Sequence, residues 1–199
     1  MTGARPSRRV VGGGEALVDL VPDTADHPGD GDPALRPLVP RLGGGPFNTA
    51  VGLGRLGVPT TMLTRLSTDP FGDALVARLA ANRVDTGLVQ RGPEPTTLAV
   101  VTVDAEGAAH YSFHVEGTAD RLVADPGELP GDTAALAVGT LSLVLEPGAS
   151  RYAELARREA ARGRLVSLDP NLRPGLVDDP DALDALAARL DAIAAVAGL

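Results

Sequence analysis

The sequence has 199 residues, of which 44% are apolar and 3% aromatic, which is enough for one substantial core or a core with a small appendage. With 26 acidic against 18 basic residues its formal charge is -8, which opposes nonspecific binding to nucleic acid or anionic membranes while permitting a local anion pocket. Every basic residue counted is arginine and there is no cysteine, so a Schiff-base lysine, the G-x-x-x-x-G-K-[S/T] phosphate loop, a disulfide framework, a thiolate nucleophile and a cysteine metal site are all excluded. The absence of cysteine and of any membrane-length apolar run fits a cytoplasmic location with no membrane contact.

The first predicted element is a strand in "RVVGGGEALVDLV", residues 9–21. Asp19 interrupts its apolar end, where a carboxylate must be solvated, paired or used to accept ligand hydroxyl groups. The glycines are not a dinucleotide fingerprint, because Leu17 stands where the third glycine of G-x-G-x-x-G belongs. Residues 22–40 are rich in Pro, Gly and Asp and read as an excursion with a short strand near "ALRPLV". Then "RLGGGPFNTAVGLGRLG" places three glycines and Pro46 ahead of a helix with Phe47, Ala50, Val51, Leu53 and Leu56 on its apolar side and Gly57 as its stop. This turn fits either tight packing on a sheet or close approach of backbone to a ligand.

"VPTTMLTRLS" predicts a strand, and "DPFGDALVARLAANRV" predicts a helix capped by Asp69 with Pro70 in its first turn. Alternation of strands and helices favours a parallel sheet covered on both faces. "TTLAVVTVDAEGAAHYSFHVEG" is a β-hairpin pattern, with His110 and His114 on one strand face. "DTAALAVGTLSLV" returns to the central sheet, a helix follows around "SRYAELARREAARG", and "RLVSLDPNLRP" is a further strand before a last helix from about residue 179. Asp169, Asn171 and Arg173 therefore fall at the carboxyl end of a parallel strand, where open α/β sheets bind ligands. Arg173 can donate to phosphate oxygens and Asn171 can donate one bond, while Asp169 can order the turn or a hydrated cation; a plain Asp-Pro turn with an arginine salt bridge fits as well.

The blocks "GEALVDLVP", "GGGPFNTAVGLGRLG", "LSTDPFGDAL", "FHVEGTAD" and "LDPNLRP", in this order, resemble the amino-terminal two-thirds of the ribokinase-like, or PfkB-type, carbohydrate kinases, most closely their fructokinase-like members. The resemblance implies an α/β ribokinase-like three-layer sandwich with a small β-sheet lid, residues 1–199 forming a partial domain and the lid drawn from about 20–42 and 95–118. It implies transfer of the ATP γ-phosphate, with Mg²⁺, to a hydroxyl of a small sugar, fructose or a related ketose first, 2-keto-3-deoxygluconate or a nucleoside as alternatives. Asp19, Gly43, Gly44 and Asn48 match the sugar-contacting residues, Asn171 and Arg173 match residues near the transferring phosphate, and Asp169 is expected to orient that turn. Glu116 falls where fructokinase-like members often carry arginine.

No G-A-G-D, the arrangement that supplies the catalytic base and anion hole of the family, occurs in the sequence. No catalytic base or metal ligand is therefore assigned, the chain is expected to be truncated at its carboxyl side, and taken alone it is expected to be inactive. A noncatalytic sugar-binding or interaction fragment is the alternative. A homodimer through the lid is also implied.

Overall fold

The computed structural model describes residues 8–23, 37–103, 108–169 and 180–197. Five strands form a parallel sheet: β1 (Arg9–Gly13), β4 (Thr60–Ser67), β5 (Val84–Gly92), β8 (Thr133–Gly139) and β9 (Leu165–Asp169), in the spatial order β5-β4-β1-β8-β9. Helices α1 (Gly45–Arg55) and α2 (Pro70–Ala81) cover one face, and α3 (Gly148–Ala161) with α4 (Pro180–Ala197) the other. Alternate strand residues serve the two layers. Met62 and Leu66 pack with Phe47, Ala50 and Leu75, whereas Val11, Leu63, Leu136 and Val138 pack with Tyr152, Leu155 and Ile193.

A second sheet of four strands, ordered β3-β2-β6-β7, uses β2 (Leu17–Pro22), β3 (Leu38–Gly43), β6 (Leu98–Val103) and β7 (Ala109–His114). β2 runs antiparallel to β3 and parallel to β6, and β6–β7 is the expected antiparallel hairpin. Leu17 and Ala99 seat this sheet on Leu141, in the short 3₁₀ turn after β8.

Several local expectations are corrected. Residues 9–21 form two strands in two different sheets. The break comes at Gly14, whose φ of +147° suits only glycine and whose added Cβ would lie 2.3 Å from Pro46 Cγ. Asp19 consequently lies within β2, opposite Arg41, instead of at a strand end. β5 was not expected; its half-exposed alternation and Gly87 conceal it. Leu56 is 81% exposed because α1 ends at Arg55. The segment after Gly139 coils into the 3₁₀ turn and does not extend β8. Asp69 does cap α2, accepting the Gly72 N–H at 2.8 Å, and also receives the N–H and Oγ1–H of Thr96. Among the described residues no helix is long and apolar enough to cross a membrane.

Candidate functional site

β1 is the point at which the strand order reverses: the chain lays β4 and β5 on one side of it, then β8 and β9 on the other. Parallel strands flanking such a reversal leave a crevice at their carboxyl ends. Here the crevice is a cleft of about 230 Å³ lined by Gly12 of β1, Gly139 of β8, Ser167 and Asp169 of β9, and Pro46 and Thr49 at the start of α1. The expected placement of Asp169 at a strand's carboxyl end is met, and the cleft faces the α1 side of the sheet. Asn171 and Arg173 lie outside the described residues.

The glycine turn joins this cleft to the smaller sheet. Gly43 ends β3 and Gly45 begins α1, with Gly44 between them at φ +107°. A Cβ on Gly43 would lie 2.2 Å from Asp19 Oδ2, so the Asp19 carboxylate rests directly on this turn. A Cβ on Gly44 would instead meet the carbonyl oxygen of Glu15 at 2.6 Å. The two glycines thus serve different neighbours, a carboxylate and a backbone. Asn48 is exposed one turn into α1, next to Thr49 of the cleft, and its backbone N–H donates to Gly44 O.

Asp19 lies on the face of the four-stranded sheet that carries Leu17, Ala99 and Phe113, as the pairing registers require. That is the face packed against the body of the molecule through Leu141 and Leu145. The carboxylate is half-buried, and among the described residues it accepts no hydrogen bond. Burial pushes its pKa up. An ionised carboxylate held this way is short of donors, and vicinal hydroxyl groups would supply two.

Sequence reasoning missed Glu15. It is 3% exposed, and its Oε1 accepts the Gly45 N–H at 3.1 Å while Oε2 accepts the Ser142 N–H at 3.3 Å and the Ser142 hydroxyl. Burial, only partly offset by the Ser142 hydrogen bond, pushes its pKa up to about 7. Its one sequence signal was a lone carboxylate between a glycine run and an apolar run. Glu116 is paired with Arg121 at 2.7 Å.

Among the described residues no three His, Asp or Glu side chains could together hold a metal ion, and Asp169 is the one carboxylate lining the cleft. These residues do not by themselves fit a Mg²⁺ site, and no chemistry is assigned through one.

Residues 7–197 match the family described as pfkB family carbohydrate kinase. The fructokinase of Rhizobium leguminosarum bv. trifolii is 41% identical over 168 residues, covering 83% of this chain and 49% of that protein. The crystal structure of a fructokinase from Xylella fastidiosa with bound ATP superposes with a TM-score of 0.79 at 29% identity, covering 96% of this chain and 56% of that one. A fructokinase double mutant from Vibrio cholerae O395, in a form with fructose, ADP and potassium ion bound, gives a TM-score of 0.77 at 28% identity over 96% of this chain and 59% of that one. The chain spans about half the length of the curated relatives it matches. A switch-point cleft, a glycine turn bearing an acceptor-rich carboxylate, and a family match over nearly every residue agree: the chain belongs to the pfkB family of carbohydrate kinases.

Proposed function

We propose that these 199 residues form the sugar-binding part of an ATP-dependent sugar kinase whose acceptor is fructose or a related ketose. The observation that carries this reading is the Asp19 carboxylate, half-buried, without a donor among the described residues, and resting on the Gly43 turn beside the switch-point cleft. The relatives named as fructokinases, one with ATP bound and one with fructose and ADP bound, support the substrate class. In this reading Asp19 accepts hydrogen bonds from two sugar hydroxyl groups, Asn48 adds one further polar contact, and Gly43 and Gly44 keep Cβ atoms out of the way. Asn171 and Arg173, outside the described residues, are assigned to the transferring phosphate by resemblance alone, and Asp169 is assigned an orienting role. The cysteine-free sequence suits a cytoplasmic setting, which belongs to the same proposal.

For the 199-residue polypeptide alone we infer binding without turnover, since no G-A-G-D occurs in it to supply the base. Calorimetry should detect fructose binding that weakens by about 10- to 100-fold in Asp19→Asn, the loss of a charge-assisted hydrogen bond. Coupled ADP release with ATP, Mg²⁺ and a panel of ketoses, aldoses and nucleosides should match the protein-free blank. Unchanged fructose affinity in Asp19→Asn sinks the reading of Asp19 as a sugar ligand, and sugar-dependent ADP release from the wild-type chain sinks the inference of binding without turnover.

We also propose that the four-stranded sheet acts as a lid and as a dimer surface. Among the described strands β3 and β7 are the outermost of this sheet, and Val103 and Tyr111 are exposed near the hairpin tip. Sedimentation across a concentration series should show reversible dimerisation that Tyr111→Glu abolishes; a strictly monomeric wild-type chain would reject this surface.

A further inference from the structure

Four stretches of chain cross between the two sheets: residues 14–16 from β1 to β2, Gly44 from β3 to α1, residues 93–97 from β5 to β6, and residues 115–119 leaving β7. Two buried carboxylates fasten them. Glu15 lies in the first crossing and accepts the Gly45 N–H at the end of the second. Asp120 accepts Thr97 Oγ1–H at 2.6 Å, at the end of the third, and Thr118 Oγ1–H at 3.2 Å, inside the fourth. Both carboxylates line one small cavity with Arg121, Ser142 and Tyr152, and they are 3% and 7% exposed.

The other polar groups at this cavity are committed elsewhere. Arg121 donates to Val115 O, to Glu116 and to Glu146 O. Tyr152 donates to the carbonyls of Gly14 and Leu63. Ser142 is bound to Glu15 itself. Among the described residues neither carboxylate has a cationic partner.

We propose that Glu15 and Asp120 are positioning residues for the sugar site, each clamping one pair of crossings and together setting the four-stranded sheet, with its Asp19, over the cleft. The proposal rests on the reading of Asp19 as a sugar ligand. Two carboxylates in one cavity, with its arginine turned to other acceptors, favour a state in which a proton is retained. Burial raises the pKa of both, and the charge of Asp120 adds to the rise at Glu15. Loss of that proton leaves two buried negative charges in one small cavity with no ion pair to either among the described residues, and their repulsion and desolvation cost outweigh the hydrogen bonds they accept and loosen both clamps. The folded-state pKa of Glu15 is raised from 4.5 to about 7, so the stabilisation is full below about 4.5, falls as pH rises from there and is fully lost above about 7.

Amide exchange on the whole 199-residue chain, read by mass spectrometry over a pH series and divided by intrinsic rates, tests this. Protection in residues 17–22, 38–43, 98–103 and 109–114 should fall together by about tenfold as pH rises from about 4.5 to about 7 and level off above that, while β4 and α2 keep theirs. Glu15→Gln keeps an acceptor for the Gly45 N–H and should erase the step. Asp120→Asn removes the neighbouring charge and should move the midpoint down by about one pH unit. A step that survives Glu15→Gln, an equal loss in β4 and α2, or a wild-type profile with no step overturns the proposal; the last two readouts need no variant and stand if Glu15→Gln fails to fold. Fructose affinity measured alongside should weaken through the same midpoint. A step in exchange with no fructose binding at any pH upholds the clamp and overturns the sugar reading.

Discussion

The five-stranded and four-stranded sheets are built from the same kinds of residue and put them to opposite uses. In the first, Met62 and Leu136 are fully buried, as are Leu75 and Leu79 of the α2 helix covering it, and adjacent residues of β4 feed two separate apolar clusters. In the second, the apolar cluster among the described residues is small, Leu17, Ala99 and Leu141 with Phe113 and Leu145 partly covered, Val18 and Val101 are buried outside it, and β7 is exposed along most of its length. Stability therefore concentrates in the larger sheet, and the smaller one can carry a carboxylate that has no hydrogen-bond partner among the described residues. Burying Asp19 in the same way between α1 and β4 would leave a charge uncompensated in apolar surroundings, at a cost of several kcal/mol.

Truncation at matched positions gives the widest separation. Leu75→Ala, in the fully buried α2 interface, should lower the unfolding free energy by about 2–5 kcal/mol in urea melts followed by circular dichroism. Phe113→Ala, whose ring is partly exposed and stacks on Tyr111 at 6.0 Å, should cost roughly 1–2 kcal/mol and leave the midpoint of the α-helical signal nearly unmoved. Equal losses from the two would mean that the sheets unfold as one tightly coupled unit and that the contrast is only geometric.

A finer contrast comes from two glycines with equally crowded Cβ positions. At Gly72 an added Cβ would lie 1.9 Å from the backbone oxygen of Ser67, and at Gly43 it would lie 2.2 Å from the Asp19 carboxylate. Backbone cannot yield without moving β4 or α2, so Gly72→Ala should destabilise by about 1–3 kcal/mol. The Asp19 side chain can rotate away, so Gly43→Ala should change stability by less than about 1 kcal/mol while weakening fructose binding to the extent that Asp19→Asn does. A Gly43→Ala protein that melts as early as Gly72→Ala would show that the turn is packed as rigidly as the core.

What could be read from the sequence divides along the same line. Helices α2, α3 and α4 and strands β4, β8 and β9 were legible because each carries a sustained apolar period, and Asp69 with Pro70 marked a helix start that the structure reproduces. The β6–β7 hairpin was legible from its Val/Thr run and its Tyr111 and Phe113 alternation. The division of residues 9–21 between two sheets was not, because three consecutive glycines do not reveal which of them takes a positive φ; the deciding contacts, Pro46 and Ser142 around Gly14, come from positions far along the chain. Asp19 and Gly43 were recognised as candidates, and their direct contact follows from a pairing register that no local pattern encodes. Glu15 stayed hidden for a related reason. Its partners, Gly45 and Ser142, belong to two other elements, and a lone glutamate between a glycine run and an apolar run carries no periodicity.

The order in which the strands pair also sets a timetable for folding. Val10 finds Thr60 on one side and Ala135 on the other, so the central strand must hold one edge open until most of the chain has been made. The smaller sheet faces the same delay, since β2 pairs with β3 nearby but with β6 only after α1, β4, α2 and β5 have intervened. Loop-closure entropy is spent on these long-range pairings before they return any contact energy, so the chain should fold slowly for its size. During synthesis the β2–β3 hairpin emerges early with one edge unpaired and waits through the whole β4–β5 unit for its third strand. That interval is when it is most open to mispairing with another chain.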